Sequence, residues 1–302
     1  EQYLQAHDWQ IDEKTYAALL AEDDARREQR GPVLIHCDGL EHTYPGGVEA
    51  LKGADLDIHQ GEIIAIVGQN GSGKTTLVKH FNGLLMPTGG QIEVDGAPTA
   101  EQGVFKLGKK VGYVFQNPDH QIFSETVFDE VSYSLRLRDL DQATIEQRVS
   151  EALEAVGLSG REEDDPFSMT KSGRQRVAVA SVLAIQPEVL ILDEPTTGLD
   201  HREQRSMMNL VRAMNANGST VIFVTHHMWV VAEYADRVFV VKDGQILLEG
   251  ATREVFAQED VLREAYLRPP QLVSLSNRLG KTMLSAEEFV RCTNTRANVE
   301  EA

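Results

Sequence analysis

A glycine-rich octapeptide directly after an apolar segment constrains this chain most. Residues 68–75 read Gly-Gln-Asn-Gly-Ser-Gly-Lys-Thr, and the segment before them, Glu62–Val67, predicts a strand buried on both faces of a parallel sheet. The glycines allow successive backbone N–H groups to point at a phosphate, at the positive end of a helix predicted from Lys74. Strand, loop and helix in this order are typical of a phosphate-binding loop, the P-loop. A purely structural glycine turn is the alternative.

The P-loop pattern assigns chemistry to individual side chains. Lys74 is expected to reach the β- and γ-phosphates of a nucleoside triphosphate, and the Thr75 hydroxyl to coordinate Mg²⁺. The expected nucleotide-binding residues are Gly68, Gln69, Asn70, Gly71, Ser72, Gly73, Lys74, Thr75 and Thr76.

Two carboxylates follow a second apolar segment. Val189–Leu192 predicts a buried strand, and Asp193 and Glu194 stand at its C-terminal end, where open α/β sheets bind ligands. Asp193 is the expected Mg²⁺ partner, directly or through water, and Glu194 is placed to activate a water for attack on the γ-phosphate. A helix cap is the alternative role for such a pair. Beside a P-loop, the pair predicts hydrolysis of the nucleotide.

Strands alternating with helices predict an α/β fold with a mostly parallel sheet. Val33–Ile35 and Leu51–Ile58 predict half-buried strands of an antiparallel β subdomain. The segment 119–157 is predicted to be mostly helical. One apolar stripe is expected there, formed by Phe123, Val127, Val131 and Leu135.

Composition restricts the partners and the compartment. The chain has 47 acidic against 29 basic residues, a net charge of −18 that disfavours nucleic acid as a partner. No apolar run approaches the about 18–20 residues that cross a bilayer, and the acidic first thirty residues lack the apolar region of a signal peptide. Cys37 and Cys292 are far apart in sequence and predict free thiols in a reducing compartment. We therefore expect a cytosolic chain.

Further motifs follow the order found in the ATP-binding subunits of ABC transporters, which the chain resembles over about residues 33–250. Val114-Phe115-Gln116-Asn117-Pro118 resembles the Q-loop, and Gly198-Leu199-Asp200 resembles the D-loop. His226 resembles the switch histidine, and Tyr44 resembles the aromatic residue that stacks on adenine.

The resemblance implies a P-loop NTPase with a RecA-like core, and it implies ATP and Mg²⁺ as cofactors. It implies that Gln116 senses the γ-phosphate and Mg²⁺, and that His226 contacts the γ-phosphate. Leu199 and Asp200 are implied to cross a dimer interface. The expected catalytic residues are therefore Glu194, His226 and Gln116, and the expected metal-binding residues are Thr75, Gln116 and Asp193.

The signature motif departs from the family pattern, Leu-Ser-Gly-Gly-Gln before a basic-Gln-Arg run. Here Met169-Thr170-Lys171-Ser172-Gly173 precedes Arg174-Gln175-Arg176. Thr170 keeps the hydroxyl that the resemblance implies for the opposite subunit's γ-phosphate, but Ser172 replaces a glycine that permits close backbone approach. Aligning the motif one residue further along would give Gly173 the role of that glycine, but it would shift the register of the helix that follows. In a head-to-tail dimer, this departure would affect the ATP site of the partner subunit, or both ATP sites if the dimer is a homodimer. A regulatory subunit that binds ATP and hydrolyses it slowly is an alternative to an active ATPase.

The segment from Phe115 to Glu130 is similar to the ATPases of energy-coupling factor (ECF) transporters, which import vitamins and cobalt or nickel ions. Leu267-Arg268-Pro269-Pro270 and Arg174–Leu183 are similar as well. The resemblance implies a second ABC ATPase, identical or not, a transmembrane coupling subunit and a substrate-capture membrane protein, with this chain peripheral at the cytoplasmic face of the membrane. Four acids are expected to face arginines of the coupling subunit, with a solvated helix face as the alternative: Asp119, Glu125, Asp129 and Glu130.

Three regions are expected. Residues 1–30 form a charged, solvated helical extension, residues 31–250 form the ABC ATPase domain with a helical subdomain at about 117–180, and residues 251–302 form a small C-terminal extension that contributes to dimerisation. An ATPase of a conventional ABC transporter and a soluble, non-transport ABC protein are the alternatives.

Overall fold

The computed structural model of the protein describes residues 9–138 and 140–295. The ends of the two expected terminal extensions, residues 1–8 and 296–302, lie outside the described residues. The strands are β1 (Trp9–Ile11), β2 (Val33–Tyr44), β3 (Val48–His59), β4 (Ile63–Val67), β5 (Gly89–Val94), β6 (Ala97–Pro98), β7 (Val111–Val114), β8 (Val189–Asp193), β9 (Thr220–Val224), β10 (Arg237–Lys242), β11 (Gln245–Ala251) and β12 (Thr293–Thr295).

Helices connect these strands and surround the sheets. They are α1 (Glu13–Glu28), α2 (Lys74–Phe81), α3 (Thr99–Lys110), α4 (Val127–Arg136), α5 (Gln142–Ala155), α6 (Lys171–Leu183), α7 (His201–Ala216), α8 (Met228–Tyr234), α9 (Thr252–Ala257), α10 (Glu259–Glu264), α11 (Gln271–Arg278) and α12 (Ala286–Cys292). Short 3₁₀ turns span Pro118–His120 and Pro166–Ser168. Among the described residues, no helix combines the length and apolar character needed to cross a bilayer.

The central sheet has the strand order β11-β10-β4-β9-β8-β7. The five strands from β10 to β7 pair in parallel, and β11 pairs antiparallel with β10. Every residue of β4, β8 and β9 is buried, because helices and a second sheet cover both faces. Within β4, side chains alternate between two cores, with Ile63, Ala65 and Val67 in one and Ile64 and Ile66 in the other. The predicted α/β fold with a mostly parallel sheet is confirmed.

The second sheet is antiparallel and has the order β3-β2-β5-β6. Its long strands β2 and β3 pair from Val33 opposite His59 to Tyr44 opposite Val48. The buried face of this sheet packs on α2 and on one face of the central sheet. Tyr44 therefore ends its strand beside the helix that follows the P-loop.

Helices α4 to α6 pack on one another, and α6 also packs on β7. Val127, Val131 and Leu135 are fully buried along α4. The prediction that Phe123 continues this stripe is wrong: the helix begins at Val127, because the Thr126 hydroxyl caps it by accepting a hydrogen bond from the Asp129 N–H at 3.0 Å. Phe123 lies before the cap, is 60% exposed, and packs edge-to-face on Tyr133.

The two ends of the described chain pack together. Strands β1 and β12 pair antiparallel, and α1 packs on α12. Tyr16 and Leu19 of α1 are buried in a small apolar cluster with Met283 and Phe289. The predicted N-terminal helix is present, but the expectation that it is solvated is wrong for the face that carries Tyr16 and Leu19. One face of α1 is apolar enough to be covered once the C-terminal helices supply a matching surface.

Candidate active site

The P-loop is held in a conformation that requires glycine at two positions. At Gly68 (φ +151°) an added Cβ would lie 2.2 Å from the Val241 carbonyl oxygen, and at Gly73 (φ +108°) it would lie 2.5 Å from the Ala50 carbonyl oxygen. Neighbouring backbone therefore packs directly against the loop and fixes its shape. Gly73 is also the N-cap of α2 and provides no side-chain cap, so the N–H groups of the first turn remain available to a ligand.

Polar groups point into this loop. Lys74 is buried, and its ammonium donates hydrogen bonds to the carbonyl oxygens of Gly68 (2.9 Å) and Gln69 (2.7 Å). Burial lowers the pKa of Lys74, and the charges of Glu194 and Asp193 oppose that shift. The buried Ser72 hydroxyl has no hydrogen-bond partner within residues 9–138 and 140–295. A buried cation and an unpaired hydroxyl in a glycine loop fit a polyphosphate.

The sheet edge brings together residues 118 positions apart. The Thr75 hydroxyl lies 3.4 Å from Asp193 Oδ1, at the end of β8. The buried Tyr113 hydroxyl donates to the other oxygen, Asp193 Oδ2, at 2.8 Å. Burial raises the pKa of Asp193, and the hydrogen bonds from Tyr113 and Thr75 oppose this shift. A hydroxyl and a carboxylate are hard oxygen ligands, so Thr75 and Asp193 fit Mg²⁺. Gln116 is exposed, two residues beyond the end of β7.

Glu194 and His226 form a second pair at the same edge. His226 Nδ1 lies 2.9 Å and 3.0 Å from the two oxygens of Glu194, and because a carboxylate only accepts, Nδ1 carries the proton. The Thr197 hydroxyl also donates to Glu194, at 3.1 Å. Glu194 is buried with φ +51°, a left-handed conformation that is uncommon outside glycine and that recurs at active sites. Its N–H bonds to the Val224 carbonyl, which helps to hold this conformation.

Tyr44 lies beside the nucleotide loop. Its hydroxyl is 3.1 Å from the Thr76 hydroxyl on α2, and its ring packs edge-to-face on His42 at 4.6 Å. His42 in turn contacts the fully buried His80 of the same helix, with Nδ1 of His42 3.1 Å from Nε2 of His80. The half-buried aromatic ring is thus tied to the P-loop helix from two sides.

The signature segment stands at the N-terminus of α6. Met169 is buried, Thr170 is the N-cap, and its hydroxyl accepts the Gly173 N–H at 3.2 Å. Lys171 is exposed and Ser172 is half-buried in the first turn. The Lys171 side chain lies over Gly198, where an added Cβ would be 2.5 Å from its ammonium nitrogen. Lys171 therefore contacts the D-loop of the same chain.

The D-loop caps the helix that follows it. Asp200 is the N-cap of α7 and accepts the Glu203 N–H at 2.8 Å, while Glu203 accepts the Asp200 N–H at 3.1 Å. This reciprocal pair is a capping box. Leu199 is buried in the core.

The four acids expected to face a partner have different surroundings. Asp119 forms a 2.6 Å ion pair with Arg174 of α6, and Asp129 pairs with Arg136. Glu130 is buried and accepts the N–H groups of residues 123 and 124. The expectation that an acid faces arginines of a partner is therefore wrong for Glu130. The side chains of Asp119 and Asp129 are 47% and 43% exposed beside their ion pairs, and Glu125 is exposed, so for these three it stays a prediction.

Sequence reasoning missed Tyr113 and the role of Gln121 in holding the loop before α4. Gln121 Oε1 accepts the Phe115 N–H, and its amide nitrogen donates to the Ala178 carbonyl and the Ser181 hydroxyl of α6. A signal existed for Tyr113. A tyrosine within a buried strand needs a partner for its hydroxyl, and this strand ends at the sheet edge that carries Asp193.

Comparisons with known proteins show which proteins this chain is similar to. The sequence profile of the family described as ABC transporter matches residues 51–197, and a profile described as an AAA domain matches residues 172–232. The chain is 41% identical to the energy-coupling factor transporter ATP-binding protein EcfA of Methanocaldococcus jannaschii, over 82% of this chain and 90% of that protein. The solved structure of cbiO1 from Clostridium perfringens, described as part of the ABC transporter complex cbiONQ, has a TM-score of 0.71 and 39% identity, over 81% of this chain and 98% of that one.

A longer relative shares more of the chain. An ABC transporter ATP-binding protein of Caldanaerobacter subterraneus is 52% identical over 284 residues, which is 94% of this chain and 50% of that protein. The chain thus spans about half the length of this relative.

Proposed function

The chain belongs to the ATP-binding proteins of ABC transporters, and from this premise we propose that it binds and hydrolyses ATP to power a membrane importer of the ECF type. The observation that carries the proposal is the convergence of the P-loop, the Thr75–Asp193 pair and the Glu194–His226 pair at one edge of the parallel sheet. These are the groups that phosphoryl transfer to water requires.

ATP binding is assigned to the loop and the first turn of α2. The loop N–H groups and the Lys74 ammonium would neutralise the phosphates, and the Ser72 hydroxyl would gain the partner it lacks within the described residues. The Tyr44 ring would stack on adenine. Mg²⁺, when bound, would supply a positive charge that polarises the terminal phosphate, and Thr75, Asp193 and Gln116 would hold it.

Hydrolysis is assigned to Glu194 and His226. The Glu194 carboxylate would accept a proton from the attacking water, since its fixed backbone and its hydrogen bonds with Thr197 and His226 hold it in one orientation. The half-exposed His226 would contact the γ-phosphate with its other ring nitrogen, because Nδ1 is occupied by Glu194. That nitrogen would donate to a phosphate oxygen with both ring nitrogens protonated, since the phosphate oxygen only accepts.

The remaining motifs support a dimeric arrangement. Met169, Thr170, Lys171, Ser172 and Gly173 would face ATP on a second ABC ATPase, and Leu199 and Asp200 would lie at the same interface. Lys171 lies over Gly198, so the two segments would reach the partner as one surface. The terminal region after residue 251, with α1 packed on it, would add to this interface.

The proposed membrane partners are supported by the relatives, and the proposed cargo rests on the resemblance to ECF ATPases. The likeness to EcfA and to cbiO1 supports a transmembrane coupling subunit and a substrate-capture membrane protein, with this chain peripheral at the cytoplasmic face and no nucleic acid partner. A vitamin or a transition-metal ion such as cobalt or nickel is the proposed cargo. Closure of the dimer on ATP would move the α4–α6 segment and, with it, the coupling subunit.

The proposal is tested by comparing wild type with Glu194→Gln, each co-expressed with the candidate coupling subunit and purified in detergent. We expect Glu194→Gln to bind ATP with unchanged affinity and to lose about 100-fold or more of the hydrolysis rate, since general-base catalysis contributes about 10²–10⁴-fold. Glu203→Gln, on the capping box, is the control and should keep its rate. Equal hydrolysis by Glu194→Gln and wild type would exclude Glu194 as the base. Failure of the coupling subunit to co-purify would exclude the ECF assignment.

A further inference from the structure

The hydrogen bond between Tyr113 and Asp193 crosses two neighbouring strands. Tyr113 lies on β7 and Asp193 ends β8, and β7 pairs in parallel with β8 from Val111 to Val114. Tyr113 is 8% exposed and Asp193 is 5% exposed, and their oxygens are 2.8 Å apart. Because Thr75 lies next to Oδ1 and Tyr113 next to Oδ2, each carboxylate oxygen has a different partner.

We propose that Tyr113 is a positioning residue that orients the Asp193 carboxylate toward Mg²⁺. The inference rests on the proposed function, in which Asp193 is the metal's carboxylate. Tyr113 would not touch nucleotide or metal itself. Its hydroxyl would hold Oδ2, so that Oδ1 beside Thr75 remains turned to the nucleotide.

The Asp193 carboxylate needs a hydrogen bond to fix its orientation. The last torsion of an aspartate side chain is broad, so burial alone does not select one orientation of the two oxygens. A hydrogen bond from a group fixed by its own packing does select one. Partners that orient a metal-bound carboxylate in this way typically change metal affinity by about 10–100-fold when removed.

The Tyr113 ring is itself fixed. It packs edge-to-face on Phe115 at 5.1 Å between ring centres. The Phe115 N–H bonds to Gln121, whose amide donates to the Ala178 carbonyl at 2.9 Å. The hydroxyl direction is therefore set by contacts that reach from the sheet edge to α6. Gln116 follows the same strand, β7, two residues beyond its end.

Tyr113→Phe tests the proposal, because it removes the hydroxyl and keeps the ring. The readout is binding, with AMP-PNP as the nucleotide: its dissociation constant without metal in EDTA, and then the Mg²⁺ concentration that half-saturates the nucleotide-bound protein. We expect the half-saturating Mg²⁺ concentration to rise about 10-fold or more. The metal-free dissociation constant should stay within about 2-fold, since Tyr113 does not touch nucleotide.

Tyr234→Phe is the matched control. Tyr234 is also buried, and its hydroxyl donates to Asn209 at 3.0 Å, on helices away from the sheet edge. Tyr234→Phe removes the same atom from a buried tyrosine whose partner, Asn209, is exposed, and it should leave the half-saturating Mg²⁺ concentration unchanged. A thermal melt of each variant checks that it is folded.

Asp193→Asn separates the inference from the proposed function. A rise in the Mg²⁺ requirement for Asp193→Asn, with none for Tyr113→Phe, would overturn the role of Tyr113 and leave Asp193 as the metal's partner. If wild type bound nucleotide without Mg²⁺ dependence, or if Asp193→Asn had the same half-saturating Mg²⁺ concentration as wild type, the roles of both Tyr113 and Asp193 would be overturned. Should Tyr113→Phe not fold alone, the double variant with Asp193→Asn decides: an Mg²⁺ requirement equal to that of Asp193→Asn supports the proposal, and a further 10-fold rise overturns it.

Discussion

Arg253 is the best place to test what holds the two ends of the chain together. Its guanidinium, with a side chain only 7% exposed, bonds to Asp23 of α1 at 2.7 Å and to both oxygens of Glu288 of α12 at 2.9 and 3.0 Å. It also donates to the Thr282 carbonyl at 2.6 Å. One cation therefore joins α1, α9 and α12, and these charge-assisted contacts raise its pKa above the usual value despite burial.

Arg253→Met removes the charge and keeps most of the side-chain volume. Breaking a buried ion pair by deleting one partner costs about 3–5 kcal/mol, because the remaining charge is left uncompensated. Asp23 and Glu288 are 29% and 19% exposed and can recover some hydration, so we expect about 3 kcal/mol. Since 1.4 kcal/mol corresponds to a factor of ten, amide exchange in α1 and α12 should accelerate about 100-fold. Exchange in β4 should change far less.

Arg263→Met is the matched control. Arg263 also pairs with two acids, Glu259 and Asp260, but it is 64% exposed and all three lie on α10. An exposed pair contributes about 0–1 kcal/mol, so exchange in α1 and α12 should stay within about 5-fold of wild type. Equal acceleration by the two variants would refute the argument that burial gives the Arg253 contacts their strength.

Two further predictions concern the P-loop and the buried histidine behind it. Gly73→Ala should abolish ATP binding, because its Cβ would meet the Ala50 carbonyl at 2.5 Å. Its free energy of unfolding in urea should fall by more than the 1–2 kcal/mol, roughly, that a left-handed backbone alone costs a side chain. The control, Gly46→Ala, has φ +106° and no atom within 4 Å of its Cβ, so it should lose only that amount and keep ATP binding. Burial lowers the pKa of His80 to about 4, below the 6.5 of the unfolded chain, so its contribution is complete above pH 6.5 and up to about 3 kcal/mol is lost as the pH falls toward 4. In His80→Gln the unfolding free energy should depend less on pH between 6.5 and 4. The same pH dependence as in wild type would contradict the lowered pKa of His80.

Several parts of the fold and the site follow from short stretches of sequence. The P-loop needs glycine at Gly68 and Gly73, because the loop backbone turns through angles that side chains disfavour, and an apolar run before it must be a buried strand. Asp193 and Glu194 end the next such run, and parallel strands place their C-terminal ends at one edge. These are constraints within a few residues, so the pattern alone predicts both the α/β sheet and the place of the nucleotide.

Only the tertiary structure decides contacts between residues far apart in sequence. The same acidic pattern contains Asp119, exposed and paired with Arg174, and Glu130, buried on backbone N–H groups, and nothing local distinguishes the two. Tyr16 and Leu19 are buried because the C-terminal helices cover them, and a charged helix alone does not reveal that cover. Tyr113 meets Asp193 across 80 residues only because β7 and β8 are neighbours in the sheet. Sequence therefore determined the elements and the chemistry they carry, whereas packing determined which partner each charge and hydroxyl has, since that depends on how surfaces from distant segments meet.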